Sequence, residues 1–118
     1  MRVRAVRGAT QVSANTPAAI FAGVQELIGS IMSANSLTPD MVISVHFTST
    51  PDLTAAFPAA AARAVGFEAV PLIGSVEVDV PGALERAIRV MLTCETDAPA
   101  MSHIYLHGAQ SLRKDIAQ

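Results

Sequence analysis

The chain has 118 residues, which is enough for one compact domain and hardly more. Hydrophobic residues make up 51% of it and charged residues only 15%, compared with about 25% charged residues in an average soluble domain. This composition excludes a disordered chain and indicates that part of the apolar surface is buried against another subunit, while the net charge of −2 disfavours nucleic acid as a partner.

The cysteine content and the choice of basic residues bear on location and chemistry. The single cysteine, Cys94, cannot form an internal disulfide, and no Cys/His spacing typical of zinc is present. The sequence therefore predicts a reducing, cytoplasmic location. Charges near the N-terminus argue against a signal peptide, and no uninterrupted apolar run is long enough to span a membrane. Seven of the eight basic residues are arginine, which suits carboxylate ligands but also follows from GC-rich codon usage.

The first half of the chain predicts a strand, a helix and a second strand. Residues 2–7 alternate loosely, and Gly8 closes this strand. Thr16 is a suitable N-cap, and the proline after it suits the first helical position. The helix is predicted to end near residues 34–35, because apolar residues recur at three- and four-residue steps. They are Ile20, Phe21, Val24, Leu27, Ile28, Ile31 and Met32. Residues 42–48 alternate as a half-buried strand.

The second half predicts two more helices and two more β segments. Pro58 begins a helix that runs to residue 65, and Gly66 stops it. Residues 67–80 are β-rich, and a third helix opens at Pro81. Its apolar positions have helical spacing: Leu84, Ala87, Ile88, Met91 and Leu92. Residues 103–107 form a last strand before a polar tail. The order β-α-β-α-β-α-β, without repeats or linkers, predicts a single domain of mixed α/β or α+β class.

No common catalytic or metal-binding motif is present in the sequence. Cys94, at the end of the third predicted helix, is expected to be a packing residue rather than a nucleophile. The histidines are expected to be structural, since each lies on a predicted strand with polar neighbours: His46, His103 and His107. Four other polar residues lie at the ends or edges of predicted elements: Arg7, Glu77, Arg89 and Tyr105. Taken singly, each fits a purely structural role, and their spacing alone does not show that they converge.

A more specific signal comes from several segments spread between residue 3 and about residue 115. These segments are residues 4–10, 50–53, 56–59, 70–71, 77–80, 88–93, 96–97 and 104–106. In this order they resemble the monofunctional chorismate mutases of the trimeric α/β class, which are distinct from the all-helical mutases. Several long matches in order are far more specific than any single short motif.

The resemblance implies a fold, an assembly and an activity. The fold is an α+β domain, a mixed β-sheet with helices on one face, and three such sheets surround the core of a homotrimer as a pseudo-barrel, with active sites between subunits. The activity is the conversion of chorismate to prephenate, an isomerase reaction of phenylalanine and tyrosine biosynthesis that needs no cofactor and no metal. Residues 108–118 are expected to form a flexible tail near the pocket.

The resemblance also assigns roles to residues of this chain. Arg7 would bind a substrate carboxylate, Arg89 would reach the ether oxygen and a carboxylate, and Glu77 would accept a hydrogen bond from the ring hydroxyl. Tyr105 would contact the pyruvyl carboxylate. The other substrate-binding residues it implies are Phe57 of the neighbouring chain, Arg63 at the entrance, the pocket lining Ile73, Gly74, Ser75 and Val76, and the tail residues Leu112 and Arg113.

Three positions depart from the pattern of this family. Gly74, Ile73 and Ala60 stand where better-known members carry polar or positively charged side chains. The backbone N–H of Gly74 remains available to a substrate, while a related substrate, such as an amino-substituted chorismate, stays open. Two further classes also stay open: a trimeric imine deaminase, which uses an arginine for a carboxylate, and a non-catalytic subunit that binds a small acid.

Overall fold

The computed structural model describes residues 1–113 and, within them, the side chains up to residue 112. The strands are β1 (Arg2–Gln11), β2 (Val42–Ser49), β3 (Leu72–Val76), β4 (Ala87–Thr96) and β5 (Ile104–Tyr105). The helices are α1 (Pro17–Ala34) and α2 (Pro58–Ala62), and shorter helical turns cover Pro39–Met41, Arg63–Phe67 and His107–Arg113. The last part of the predicted flexible tail, residues 114–118, lies outside the described residues.

The strands form one five-stranded mixed sheet in the order β3-β2-β4-β1-β5. Strand β4 lies antiparallel to β1 and β2, whereas β3 runs parallel to β2 and β5 runs parallel to β1. All strands except β4 therefore end at the same edge of the sheet, and β4 begins there. The mixed sheet expected of an α+β fold is confirmed.

One face of the sheet is covered and the other is open. Alternate strand residues, among them Val6, Phe47 and Leu92, point toward the helices and are fully buried. They join the apolar side of α1 and the alanines of α2 in one continuous core, so both helices lie on this face. Because successive strand residues point to opposite faces, the residues between the buried ones lie on the open face.

Helix α1 is the main helix of this core. The Thr16 hydroxyl accepts a hydrogen bond from the Ala19 N–H at 3.1 Å, and Pro17 occupies the first turn, as the sequence predicted. The helix is long and apolar enough for a membrane span, with a mean hydropathy of 1.2 over 18 residues. Its apolar side is instead buried against the sheet, which explains why the helix is so rich in apolar residues. The buried residues are Ile20, Val24, Leu27, Ile28 and Ile31.

The predicted third helix is wrong, because residues 87–96 form β4, the central strand of the sheet. Burial alternates from Ile88 to Thr96, where the even-numbered residues are buried against the helices, and Ala87 at the start of the strand is buried as well. Ala87 and Met91 point to the opposite face but are apolar too. Together with Ile88 and Leu92 they therefore give the three- and four-residue spacing of a helix. Hydrogen bonding to strands on both sides outweighs that spacing.

The other predicted elements differ from the structure mainly in length. The β-rich segment 67–80 contains only β3, and the last strand is shorter than predicted. Regular helix α2 ends at Ala62, and a wider turn carries the chain on to Phe67. Gly66, with a φ of +104°, ends the helical conformation there, since side-chain-bearing residues rarely adopt this φ.

Two glycines of α1 have different surroundings. A Cβ on Gly23 would collide with Cγ1 of Val12, whereas a Cβ on Gly29 would have no neighbour within 4 Å. The helix therefore approaches the end of β1 closely at Gly23, where the absence of a side chain makes room for the core.

Alanine substitution at these two glycines tests that close approach. In an open helical position, Gly29→Ala should raise the free energy of unfolding by about 1 kcal/mol. At Gly23 the same gain is opposed by overpacking, which costs about 1–3 kcal/mol, so Gly23→Ala should be less stable than the wild type. Urea denaturation followed by circular dichroism, at one protein concentration, measures both. Equal stabilisation by the two substitutions would contradict the close approach.

Candidate functional site on the open face of the sheet

The register of the sheet places one residue from each strand in a single row across the open face. From β3 to β5 the row is Ser75, Thr48, Arg89, Ala9 and Tyr105. It lies near the edge at which the parallel strands end, which is where sheets of this kind commonly bind ligands. The residues converge only after folding, because they come from five separate strands.

An ion pair stands at the centre of this row. Arg89 Nε lies 3.2 Å from Glu77 Oε2, and the Thr48 hydroxyl donates to the same oxygen at 2.6 Å. Glu77 directly follows β3, and its N–H donates to the Ser49 carbonyl at 2.9 Å. The side chain of Glu77 is 15% exposed and that of Arg89 is 46% exposed. The shielded carboxylate is thus stabilised by a cation and a hydroxyl, and all three groups are held in a fixed arrangement.

Arg7 adds a second cation to the open face. It pairs with Met91 on β4, which in turn pairs with His46 on β2, so these residues form a neighbouring row. The Arg7 N–H donates to Nδ1 of His103 at 3.0 Å. With two guanidinium groups and one carboxylate, this part of the face suits a ligand that carries more than one negative charge.

Tyr105 closes the other end of the central row. It is buried beside Ala9 and Ala109, and Leu112 packs against this small cluster. Leu112 belongs to the short helix His107–Arg113, so this helix brings a predicted tail residue next to Tyr105. Arg113 ends the helix, and its side chain lies outside the described residues.

Apart from Ser75, which lies in the central row, the remaining predicted residues do not gather around Arg89 in the single chain. Phe57, 80% exposed, lines a cavity of about 690 Å³ together with residues 74–76, on the helix side of β3. Ile73 is exposed on the open face beside His46. Arg63 is exposed on the turn that follows α2. One chain therefore supplies the charged centre of the predicted site, while several predicted lining residues lie apart from it.

A second cavity, of about 610 Å³, lies between α1 and the end of β1. Its lining includes Gly23, Arg86 and Glu26, whose Oε1 lies 2.8 Å from Nε2 of His107. Arg86 makes a structural contact here, since its Nε donates to the carbonyl of Val12. None of the predicted site residues lines this cavity. Among residues 1–113 no group of three or more metal-ligating side chains is gathered.

The comparisons with known proteins agree on one family. The family model described as chorismate mutase type I matches residues 3–116. The chain belongs to this family. It is 44% identical over 117 residues to chorismate mutase AroH of Thermus thermophilus, covering 97% of this chain and 96% of that protein. It is 38% identical over 120 residues to chorismate mutase AroH of Bacillus subtilis (strain 168), covering 99% and 94%.

A solved structure supports the same conclusion. A chorismate mutase from Clostridium thermocellum matches with a TM-score of 0.89 and 46% sequence identity, covering 92% of this chain and 98% of that one. The fold and family that the sequence segments implied are therefore confirmed. On the open face, this fold brings together Arg7, Glu77, Arg89 and Tyr105. These are the residues to which the sequence resemblance assigned the main contacts with substrate.

One residue of the charged centre was missed at the level of sequence. Thr48 lies on the polar side of the strand predicted over residues 42–48, two residues after His46 on the same side. Nothing in its spacing distinguishes it from an ordinary solvent-facing threonine. Only the register, which sets Thr48 beside Arg89, and the end of β3, which delivers Glu77 to it, reveal the contact.

The histidines and the cysteine have structural surroundings, as expected. His46 shares a hydrogen bond of 2.8 Å with Ser75, and His103 and His107 make the contacts described above. Cys94 is fully buried on β4 rather than at a helix end, because the predicted third helix is wrong. Its burial raises the pKa of the thiol, which keeps it protonated at neutral pH.

Thiol labelling checks this environment. In the native protein at pH 8, Cys94 should react with Ellman's reagent far more slowly than a free thiol, since it is both protonated and shielded. After unfolding in guanidinium chloride it should react completely, and the single cysteine makes the signal unambiguous. Rapid reaction of the native protein would show that Cys94 is not enclosed in the core.

Proposed function

We propose that the protein converts chorismate to prephenate on the open face of its sheet, as an isomerase of phenylalanine and tyrosine biosynthesis. Membership of the chorismate mutase type I family supports the activity. The observation that carries its location is the Arg89–Glu77 pair, set in one row with Tyr105 and beside Arg7.

The chemistry explains why these residue types suffice. The rearrangement breaks one C–O bond as it forms one C–C bond, so it needs no nucleophile, proton transfer or metal. Chorismate carries two carboxylates and must fold into a compact chair-like conformer. We assign Arg7 to one carboxylate and Arg89 to the other, with Tyr105 contributing its hydroxyl, so that binding fixes the reactive conformer.

The ion pair fits the charge that develops during the reaction. Negative charge grows on the ether oxygen as its bond breaks, and positive charge grows on the ring. A fixed cation at Arg89 stabilises the oxygen, and the Glu77 carboxylate stabilises the ring. Arg89 contacts Glu77 through Nε at 3.2 Å, and its two terminal nitrogens donate no hydrogen bond to another of residues 1–113. These nitrogens are therefore available to the substrate.

The assembly follows from what the single chain leaves uncovered. The open face and its borders expose large apolar side chains, including Val3, Ile73 and Met91, and Phe57 is exposed near the edge strand β3. We propose a homotrimer that packs the open faces around a common core. In it, Phe57 and Arg63 of one subunit complete the site of its neighbour. A cytoplasmic location is proposed with this, since the only cysteine is a free thiol.

One set of assays separates this function from its competitors. Purified protein should consume chorismate and release prephenate with no added cofactor, at a rate that scales with protein concentration. Release of ammonia from 2-imino acids would favour the deaminase class. If calorimetry shows tight binding of chorismate but chorismate is consumed no faster than it rearranges spontaneously, a non-catalytic subunit would be favoured. Either outcome would overturn the mutase proposal.

Substitution of Arg89 tests its role in the transition state. Arg89→Ala should lower kcat/KM by roughly 10²- to 10³-fold, the loss typical of a group that stabilises developing negative charge. Arg2→Ala, which removes an exposed arginine at the far end of β1, serves as the control and should retain wild-type turnover. Circular dichroism verifies that both variants fold. Wild-type kcat/KM in Arg89→Ala would contradict the assignment.

Coexpression of two inactive variants tests whether sites form between subunits. Arg63→Ala and Arg89→Ala should each impair turnover. If the two arginines of one site come from different subunits, random mixing leaves about a quarter of the sites with both arginines intact. Activity of the mixed trimers should then clearly exceed that of either variant. Activity equal to the average of the two variants would show that each site lies within one chain.

A further inference from the structure

The Glu77 carboxylate is held by one of its two oxygens. Arg89 Nε at 3.2 Å and the Thr48 hydroxyl at 2.6 Å both contact Oε2. No residue among 1–113 donates a hydrogen bond to Oε1. A carboxylate fixed through one oxygen in this way turns its other oxygen in a defined direction, because the hydrogen bond from Thr48 and the ion pair with Arg89 restrict its rotation.

The position of Thr48 is itself fixed by the sheet. It lies on β2, between β3 and β4, where its backbone is hydrogen-bonded on both sides and its neighbours in the row are Ser75 and Arg89. Threonine is branched at Cβ and has few accessible rotamers, so its hydroxyl is a rigid donor. Arg89 carries a long, flexible side chain that is nearly half exposed, and is the less rigid of the two supports.

We infer that Thr48 is a positioning residue: it anchors Oε2 of Glu77 and thereby presents Oε1 to the ring hydroxyl of the substrate. This inference rests on the proposed conversion of chorismate. Thr48 does not itself touch the substrate in this arrangement.

Removal of the hydroxyl has a specific expected effect. In Thr48→Val the side-chain shape is kept but the donor is lost, so Glu77 rotates and no longer meets the developing charge in one orientation. Hydrogen bonds to charged groups are strong enough that kcat should fall about 10- to 100-fold. KM should change by less than about 3-fold, because the arginines that bind the carboxylates are untouched.

Two further variants and a matched control complete the experiment. Thr48→Ser keeps the hydroxyl and should restore kcat to within about 3-fold of the wild type. Thr48→Ala, which is smaller, replaces the valine variant if the latter does not fold. Thr38→Val removes another threonine-to-carboxylate hydrogen bond, that from Thr38 to Asp40, on the loop after α1. This control should leave both kcat and KM unchanged.

The outcomes separate this inference from the function on which it rests. Wild-type protein that leaves chorismate unchanged would overturn both. Active wild-type protein with undiminished kcat in Thr48→Val and Thr48→Ala would overturn the positioning role alone. So would a Thr48→Ser variant as impaired as Thr48→Val, since the hydroxyl would then not be the group that matters. A fall in kcat that serine reverses supports the inference.

Discussion

Strand β4 is the element on which the rest of the structure depends. It is the only strand of the described sheet that runs against its neighbours, and it lies between β1 and β2. Its register places Arg89 beside Thr48 on one side and beside Ala9 on the other. A shift of one residue along this strand would turn Arg89 into the core and Leu92 to the open face. The burial of alternate β4 residues therefore fixes the site as firmly as it fixes the fold.

The two faces of the sheet differ in composition. The helix face holds the core, which consists mainly of apolar side chains. The open face carries both charge and apolar surface, which explains the low charge and high hydrophobic content of so short a chain. In the proposed trimer, the apolar part of this face is buried between subunits while the charged row lies at the boundary. In this proposal, the same surface serves both assembly and substrate binding.

The parts of the fold that could be predicted from sequence are those with one unambiguous signal. Helix α1 combines an N-cap at Thr16 with a long apolar period, and no other structure fits both. Strand β4 was wrongly predicted as a helix, because Ala87 and Met91 on the side opposite the helices are also apolar. The alternation of apolar and polar residues that is typical of a strand was therefore not visible in the sequence. Met91 is exposed in the single chain, and a second subunit is the proposed reason why this open-face residue is apolar.

The site was only partly accessible to the same reasoning. Glu77 and Arg89 are close in the chain, but the ion pair between them depends on β3 and β4 lying on either side of β2. Spacing contains no information about that order, and the assignment of Arg7, Glu77, Arg89 and Tyr105 came from the resemblance to a family. Thr48 was predictable as a strand residue but not as a partner of Glu77. Its role depends on a single side-chain contact.

The most direct test is a crystal structure of the protein with a rigid bicyclic dicarboxylate that mimics the folded transition state. The proposed mechanism predicts that it binds on the open face, with one carboxylate at Arg7, the ether oxygen at the terminal nitrogens of Arg89, and the ring hydroxyl at Oε1 of Glu77. Binding instead in the cavity between α1 and β1, or on the helix side of β3 away from Arg89, would contradict it.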